Sequence, residues 1–381
     1  MNPRPPVEDR KHHRIDQVHA STEKVLLDTF PEVMINGYSY TEQEVWDVLL
    51  YASLNRISIK GTCDRLSHAP SYNWIYGVVS EEVLDRYGIE ILEQRANEAI
   101  EQTHPKGLAR SRRKIAIDLV LIPYYGDETT PGVSRSHAVR STTKFFCFAT
   151  AYLIKKHKRV TLCLTFVRPE DTLPGVLIRL LDRVAALGIA IKRLLLDRQF
   201  AQVAVLDYLS EQPYVSIVPI PKRGKRLKAL LHGKQSFTVP YTMRSSEHGE
   251  ITFPLYVAVR YQKGKARRHG VEHLPFAVLG ECHNTELEIA EDYRHRFGIE
   301  SSYRIMNQTR AKTTSRDERF RLLLVFIAFL LQNFWIWYKW KNHLVTKETA
   351  HGRSTLTFDL FALFIRVSIE NVYGVLISAQ L

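Results

Sequence analysis

Residues 285–312 carry charged and aromatic side chains at helical spacing. The set follows an i, i+3, i+7 pattern that fits within roughly an 80° arc of one continuous helix: Tyr293, Arg296, Glu300, Arg304 and Asn307. On such a helix a carboxylate stands between guanidinium groups, so Glu300 can bind a divalent metal while the arginines bind phosphate oxygens. The alternative is a solvated helix face with ordinary charge pairs four residues apart.

Two aspartates lie in or directly after apolar strands. In IAIDLVLI the alternation of side chains places Asp118 among Ala116, Val120 and Ile122, on the face opposite to Ile115 and Ile117, where an unpaired carboxylate is costly. Asp197 ends LLLD, at the edge where parallel sheets bind ligands. Either aspartate alone fits a strand-end cap or a buried ion pair. Together with Glu300 they form a carboxylate cluster, which favours Mg²⁺ or Mn²⁺ over zinc.

A run of alternating strands and helices must position these acids. The apolar patterns predict three strands, a helix, a strand, a helix and a strand, in this order: KIAIDLVLIPYYG, FFCFATAYLI, RVTLCLTFV, residues 172–187, IKRLLLD, residues 201–209 and YVSIVPI. The first three strands can pair antiparallel through short turns, whereas the later ones need helical crossovers and are parallel. The sequence therefore predicts an α/β fold with a mixed sheet and helices on its faces.

Positive charge is concentrated in one β-like segment. The chain has a net charge of +13, and residues 214–280 alone carry twelve Lys/Arg against three Glu. Residues 223–280 have short β-like runs and little helical periodicity, which predicts an all-β insertion with basic loops. Six basic residues are candidate DNA contacts here: Lys222, Arg223, Lys225, Arg226, Arg267 and Arg268. This charge favours a polyanionic partner, with nucleic acid ahead of a membrane surface.

The N-terminal third has a helical pattern. Amphipathic helices are predicted at 41–54, 59–66, 71–79 and 80–103, and His104-Pro105-Lys106-Gly107 indicates a domain boundary. The three short helices at 41–80 fit either a helix-turn-helix unit or a plain helical bundle. We therefore divide the chain into a helical N-terminal DNA-binding domain, a core in two parts around the insertion, and a helical tail, at 1–105, 110–222, 223–280, 281–345 and 346–381.

The motif Tyr293-x-x-Arg296-x-x-x-Glu300 resembles the tyrosine–arginine–glutamate signature of insertion-sequence transposases with an RNase H-like DDE core. The resemblance extends over roughly residues 110–340, with Asp118 as the first acid and Asp197 as the second. It implies an RNase H-like mixed sheet with flanking helices, interrupted by the insertion and preceded by the helical domain. It also implies an enzyme that binds the element's terminal inverted repeats and catalyses DNA cleavage and strand transfer.

The same resemblance implies roles for individual residues. Asp118, Asp197 and Glu300 would be catalytic and hold two Mg²⁺ (or Mn²⁺) ions, about 3.5–4 Å apart as in two-metal sites. Contacts to double-stranded DNA, at the element ends and the target, are expected from Tyr293, Arg296, Arg304, Arg310, Lys312 and Arg198, besides the insertion. Synapsis of two ends implies a homodimer.

The chain departs from the family pattern at two places. Asn307 stands where the signature ends with a lysine, and Arg304, Arg310 and Lys312 are close enough in sequence to supply the charge. The insertion contains no tryptophan, so an excision route through DNA hairpins would require Tyr241, Tyr256, Tyr261 or a phenylalanine to stack on the flipped base.

Three other functional classes fit part of the sequence. A DNA-binding relative without catalysis, or an RNase H-fold endonuclease or recombinase, would keep the same basic surface. Membrane anchoring through 322–338 is the third, although the apolar run LLLVFIAFLL is too short to cross a bilayer and fits a buried core helix better. Scattered cysteines and a polar start without a signal peptide favour a cytoplasmic location, and the resemblance implies a prokaryotic, nucleoid-associated protein.

Overall fold

A computed structural model describes residues 15–31, 40–139, 141–154, 160–261, 270–342 and 356–376. The chain divides into two compact units: unit 1, Met1–Thr103 with Met306–Leu381, and unit 2, His104–Ile305. Both ends of the chain thus belong to one unit, and the second boundary falls inside a helix. The DNA-binding role assigned to residues 1–105 stays a prediction.

The described residues form twelve α-helices and nine β-strands. The helices are α1 (Ile15–Thr29), α2 (Glu42–Asn55), α3 (Ile59–Cys63), α4 (Tyr72–Val78), α5 (Arg86–Gln102), α6 (Leu173–Ala186), α7 (Val203–Ser210), α8 (Lys225–Leu230), α9 (Glu286–Arg294), α10 (Phe297–Thr309), α11 (Glu318–Lys341) and α12 (Phe358–Tyr373). The strands are β1 (Arg113–Pro123), β2 (Val133–Val139), β3 (Thr142–Leu153), β4 (Thr161–Val167), β5 (Ile191–Leu196), β6 (Val215–Pro219), β7 (Phe237–Ser245), β8 (Gly249–Tyr261) and β9 (Val271–Leu279). A π-helical turn links α4 to α5.

All nine strands belong to one mixed sheet in unit 2. Its order is β2-β3-β1-β5-β6-β9-β8-β7, and β4 pairs with β3 beside β2. The pairs β1–β3 and β3–β4 are antiparallel, whereas β1–β5 and β5–β6 are parallel. This confirms the predicted mixed α/β architecture. Strand β2 was not predicted, because it is an edge strand in which four of the seven residues of VSRSHAV are polar.

The basic segment differs from the all-β insertion that the sequence predicted. Its strands β7, β8 and β9 pair antiparallel in order, and β9 also pairs antiparallel with β6, so the segment continues the main sheet. The expectation of an all-β segment is wrong at α8, which is a helix in the first basic run. Leu227, Leu230 and Leu231 follow the i, i+3, i+4 spacing of a helix, and Leu227 is buried. This leucine pattern spans only about one helical turn and lies among lysines and arginines, so the helix was not predicted.

The single helix predicted over 285–312 is also wrong, because the segment forms two helices. α9 ends at Arg294, and α10 begins at Phe297. Between them His295 and Arg296 donate backbone hydrogen bonds three residues back, to Asp292 and Tyr293, which is turn geometry. Gly298 in the first turn of α10 has low helix propensity and favours a break here.

Unit 1 is helical, and α11 is its apolar centre. The run LLLVFIAFLL is buried as predicted, and the Phe30 ring packs on Trp46 and Phe326. Among the described helices, α11 is the one long and apolar enough to cross a membrane by length and composition. Its most apolar stretch is 89% buried within the structure, as expected of a core helix.

A buried polar network joins α1, α2 and α12 in unit 1. His19 Nε2 lies 2.5 Å from Asp47 Oδ1, and His19 Nδ1 lies 2.9 Å from Ser368 Oγ. The Tyr373 hydroxyl donates to the other oxygen of Asp47 over 3.1 Å. Glu23 lies beside this network, where burial and the negative charge of Asp47 raise the pKa of its carboxyl to about 7. Burial lowers the pKa of His19, but Asp47 outweighs this and the net shift is upward.

We expect the stability of the protein to decrease as the pH rises through about 7. The folded chain keeps protons on Glu23 and His19 at pH values where the unfolded chain has lost them, so proton release disfavours folding. Glu23→Gln removes one of these protons and should flatten the dependence of the urea midpoint on pH between 5.5 and 8. The exposed Glu101→Gln is the matched control. An unchanged pH profile in Glu23→Gln would contradict the assignment.

Candidate active site

Strand register brings the two predicted aspartates together. In the parallel ladder of β1 and β5, Ile117 pairs with Leu196. The next residues in each strand direction, Asp118 and Asp197, therefore lie side by side, on neighbouring strands about 4.8 Å apart. Asp197 then caps a short 3₁₀ turn, in which the Gln199 N–H donates to its carboxylate over 3.4 Å.

Both carboxylates project from the sheet face that α9 and α10 cover. Side chains two residues apart on a strand share a face, so Ala116 and Leu195 mark the side on which the aspartates lie. These two residues belong to one apolar cluster with Ile289 of α9 and Ile299 of α10. The predicted facing of Asp118 is thus confirmed, and the apolar contacts hold α10 over the acids.

One guanidinium group lies among the three predicted acids. Arg296 Nη1 donates to Asp118 Oδ2 over 2.8 Å, and its Nη2 lies 3.3 Å from Asp197 Oδ1. The same Nη2 donates to Glu300 Oε1 over 3.4 Å. Glu300 reaches this point from the first turn of α10. The structure therefore brings together three carboxylates that are 79 and 103 residues apart in sequence.

The acids differ in their contact with solvent. The side chains of Asp118, Asp197 and Glu300 are 15%, 21% and 49% exposed. Exposure to solvent therefore decreases from the acid on α10 to the acid on β1. Burial raises the pKa of Asp118 to about 6, Asp197 adds to the rise, and Arg296 opposes it. The Leu119 N–H also donates to Asp118, over 2.9 Å. A nearly buried carboxylate beside a second one needs a cation close by.

The donor set fits a hard divalent cation. Three carboxylate oxygens from separate elements converge on two nitrogens of one guanidinium, so they already surround a positive charge. All three are oxygen donors, which Mg²⁺ and Mn²⁺ prefer over the nitrogen and sulfur ligands typical of zinc. By donor chemistry the three acids thus fit Mg²⁺ or Mn²⁺, and metal binding by them stays a prediction.

Two tyrosines support the site, and one of them escaped the sequence analysis. The Tyr293 hydroxyl donates to the carbonyl oxygen of Leu196 over 3.1 Å, directly before Asp197. The Tyr303 hydroxyl donates to the carbonyl oxygen of Asp118 over 3.1 Å and bonds Thr150 Oγ1 over 2.7 Å. Tyr303 follows Glu300 by three residues on α10. This helical spacing is the sequence feature from which Tyr303 could have been predicted as a neighbour of the site.

The remaining predicted DNA contacts are distributed over both units. Exposed side chains in unit 2 are Arg198, Lys222, Arg223, Lys225, Arg226 and Arg304. Arg310, Lys312 and the exposed Asn307 belong to unit 1. Arg267 and Arg268 lie outside the described residues. Tyr293 and Arg296 have the intramolecular partners given above. DNA binding by all of these residues stays a prediction.

A second group of ligand-type side chains lies in unit 1. His19, Glu23 and Asp47 offer ligand atoms within 4.8 Å of one another. Both ring nitrogens of His19 and both carboxylate oxygens of Asp47 already have hydrogen-bond partners. We therefore assign this group to the stability of the helical unit.

Comparison with known proteins gives a fold similarity. No family model matches this chain, and no curated protein matches its sequence. The fold is similar to that of the piggyBac transposase in the cryo-EM structure of its synaptic complex with hairpin DNA. The TM-score is 0.59 at 11% sequence identity, and the match covers 97% of this chain and 82% of that one. At this identity the similarity concerns the fold alone.

We expect Tyr303→Phe to destabilise the protein by about 1–3 kcal/mol, because the Asp118 carbonyl and the Thr150 hydroxyl lose a buried partner. Urea unfolding of the variant measures this loss. Tyr261→Phe, at a side chain that is 74% exposed, removes the same hydroxyl group at the surface and should be neutral. Equal stability of the two variants would show that the Tyr303 contacts are dispensable.

Proposed function

We propose that this protein is an insertion-sequence transposase with an RNase H-like DDE core, which cleaves DNA at the element ends and joins it to a target. The observation that carries the proposal is the convergence of Asp118, Asp197 and Glu300 on one cationic point. The similarity of the fold to a transposase supports it. A structural ion pair explains one carboxylate beside an arginine, but it gives no reason for three of them at half-exposed to buried positions.

The three acids would hold two Mg²⁺ or Mn²⁺ ions. Bound there, such ions act as Lewis acids that activate water or a 3′-hydroxyl group and stabilise the leaving oxygen of the phosphodiester. The chain's own residues fix the geometry. The β1–β5 register holds Asp118 and Asp197, and the hydroxyl groups of Tyr293 and Tyr303 hold the strand backbone next to each of them.

Exposed basic side chains would bind the DNA backbone. Arg198 follows Asp197 directly, and Arg304 lies one helical turn after Glu300 on α10, so both are close in sequence to the acids. The basic run at 222–226 lies at the start of α8. Guanidinium groups bind phosphate oxygens through paired hydrogen bonds. Lysines add a point charge, and together these residues would orient double-stranded DNA.

The other parts of the proposal rest on the sequence. The helices α2, α3 and α4 would read the terminal inverted repeats, and two copies of the chain would bring two element ends together. The protein would be located in the cytoplasm of a prokaryote, in association with the nucleoid. An RNase H-fold endonuclease is the second candidate function, because the same acids would serve cleavage without strand transfer.

Replacing any one of the acids should abolish cleavage of the element's own ends. We expect Asp118→Asn, Asp197→Asn and Glu300→Gln each to lower the rate about a hundredfold or more, since loss of several kcal/mol of charge stabilisation has an effect of this size. A gel assay with labelled end DNA and Mg²⁺ measures the rate. Asp207→Asn and Glu211→Gln, at exposed positions, are the controls.

The products of the same assay separate the two candidate functions. Joined end–target DNA indicates a transposase, whereas cut ends without joining indicate an endonuclease. Normal cleavage by all three acid variants would refute both functions.

The basic run at the start of α8 should contribute to DNA affinity and its salt dependence. Each lost phosphate contact lowers the slope of log affinity against log salt by about 0.9. The variant with Lys222, Arg223, Lys225 and Arg226 changed to Gln should therefore show a shallower slope in fluorescence anisotropy with duplex DNA. The single exposed Lys192→Gln is the control for a surface charge elsewhere. An unchanged slope would exclude this run from the DNA interface.

A further inference from the structure

The position of Arg296 among the acids has a consequence for metal binding. Its side chain is only 8% exposed, and its two terminal nitrogens contact all three carboxylates. Its Nε is buried, with no hydrogen-bond partner among the residues that the structure describes. The acid contacts are thus the contacts that hold this guanidinium in place, apart from the Tyr293 ring, whose centroid lies 5.5 Å from its central carbon.

A divalent ion and this guanidinium need the same space. Carboxylate oxygens bind Mg²⁺ at about 2.0–2.1 Å, and the same oxygens lie 2.8–3.4 Å from the guanidinium nitrogens. An ion placed at the point where the three oxygens converge would overlap the guanidinium. It would also meet the repulsion of a positive charge in a poorly hydrated site.

The backbone at Arg296 is suited to releasing its side chain. Arg296 lies in the two-residue turn between α9 and α10, rather than inside a helix. Its neighbour Phe297 is 53% exposed, so this turn borders solvent. At this turn the Arg296 side chain can move from the acids toward solvent while both helices stay folded.

We propose that Arg296 is a latch on the metal site: its guanidinium holds Asp118, Asp197 and Glu300 together until a divalent ion displaces it. The inference rests on the proposed function for the role of the acids. Arg296 is a positioning residue in this scheme, because it keeps three repelling carboxylates in place. Its displacement lowers the affinity for ions, since each binding event must break the contacts of the latch. The released guanidinium is then available to the phosphate groups of DNA.

Binding of Mn²⁺ to the full-length protein without DNA tests the latch. We expect Arg296→Gln to bind Mn²⁺ at least about tenfold more tightly than the wild type, measured by the EPR signal of free Mn²⁺, because the competing cation is gone. Arg296→Lys keeps the charge and should stay within about threefold of the wild type. Arg294→Gln removes an exposed, solvent-screened charge from α9 and should also change the affinity little.

Two results would overturn the latch. One is an Arg296→Gln variant that binds Mn²⁺ no more tightly than the wild type. The other is tight binding that persists when Asp118→Asn is added to Arg296→Gln, since the ion would then be bound elsewhere. Failure of the proposed function gives a different result, namely normal DNA cleavage by the Asp118, Asp197 and Glu300 variants. An affinity gain in Arg296→Gln could still accompany that outcome, so the two failures are distinguishable.

A measurement on the wild type covers the case in which Arg296→Gln does not fold. In protein labelled with ¹⁵N-arginine, the Nε–H signal of Arg296, identified by its loss in Arg296→Lys, reports the environment of the guanidinium. We expect Mg²⁺ titration to move this signal and to raise its hydrogen exchange with water at least about tenfold, as the group leaves its buried position. A signal that is unchanged at saturating Mg²⁺ would overturn the latch.

Discussion

Like charges held close together in a poorly hydrated site must be balanced, and this constraint governs the centre of unit 2. The β1–β5 register and α10 bring Asp118, Asp197 and Glu300 to one point. Burial, together with the negative charge of Asp197, raises the pKa of the Asp118 carboxyl there. Arg296 supplies the opposite charge from the turn between two helices. The parallel strand pairing, the helix break and the tyrosine hydrogen bonds position the groups that take part in this balance.

The strand-borne part of the site could be predicted because it depends on short-range rules. Alternation along a strand fixes the facing of Asp118, and the crossover rule places Asp197 at the end of a parallel strand, where ligands bind. The parallel pairing of these two strands with each other is a finding of the structure. Glu300 could be identified through its spacing from Tyr293 and Arg296, although the continuous helix assumed for them is broken. The three acids converge all the same, because the apolar residues around Ile289 and Ile299 place both helices on the sheet.

The rest depends on tertiary contacts that the sequence does not encode locally. Nothing in the spacing indicates that Arg296 turns toward the acids, because a helix face of alternating charges is equally consistent with solvent or DNA. Tyr303 bonds the carbonyl of Asp118, a partner 185 positions away along the chain. The pairing of β9 with β6 similarly follows from the completed sheet. It makes the basic segment part of the same sheet that carries the aspartates, where the sequence indicated a separate insertion.

The unequal exposure of the three acids has a kinetic consequence. Glu300 is about half exposed and meets Arg296 over 3.4 Å, whereas Asp118 is mostly covered and meets it over 2.8 Å. Water can exchange at the outer carboxylate while the inner contact persists. In the proposed latch, the guanidinium would therefore leave the acids stepwise, starting from the solvated Glu300. Asp118, the most covered of the three acids, would then be the last to exchange its partner.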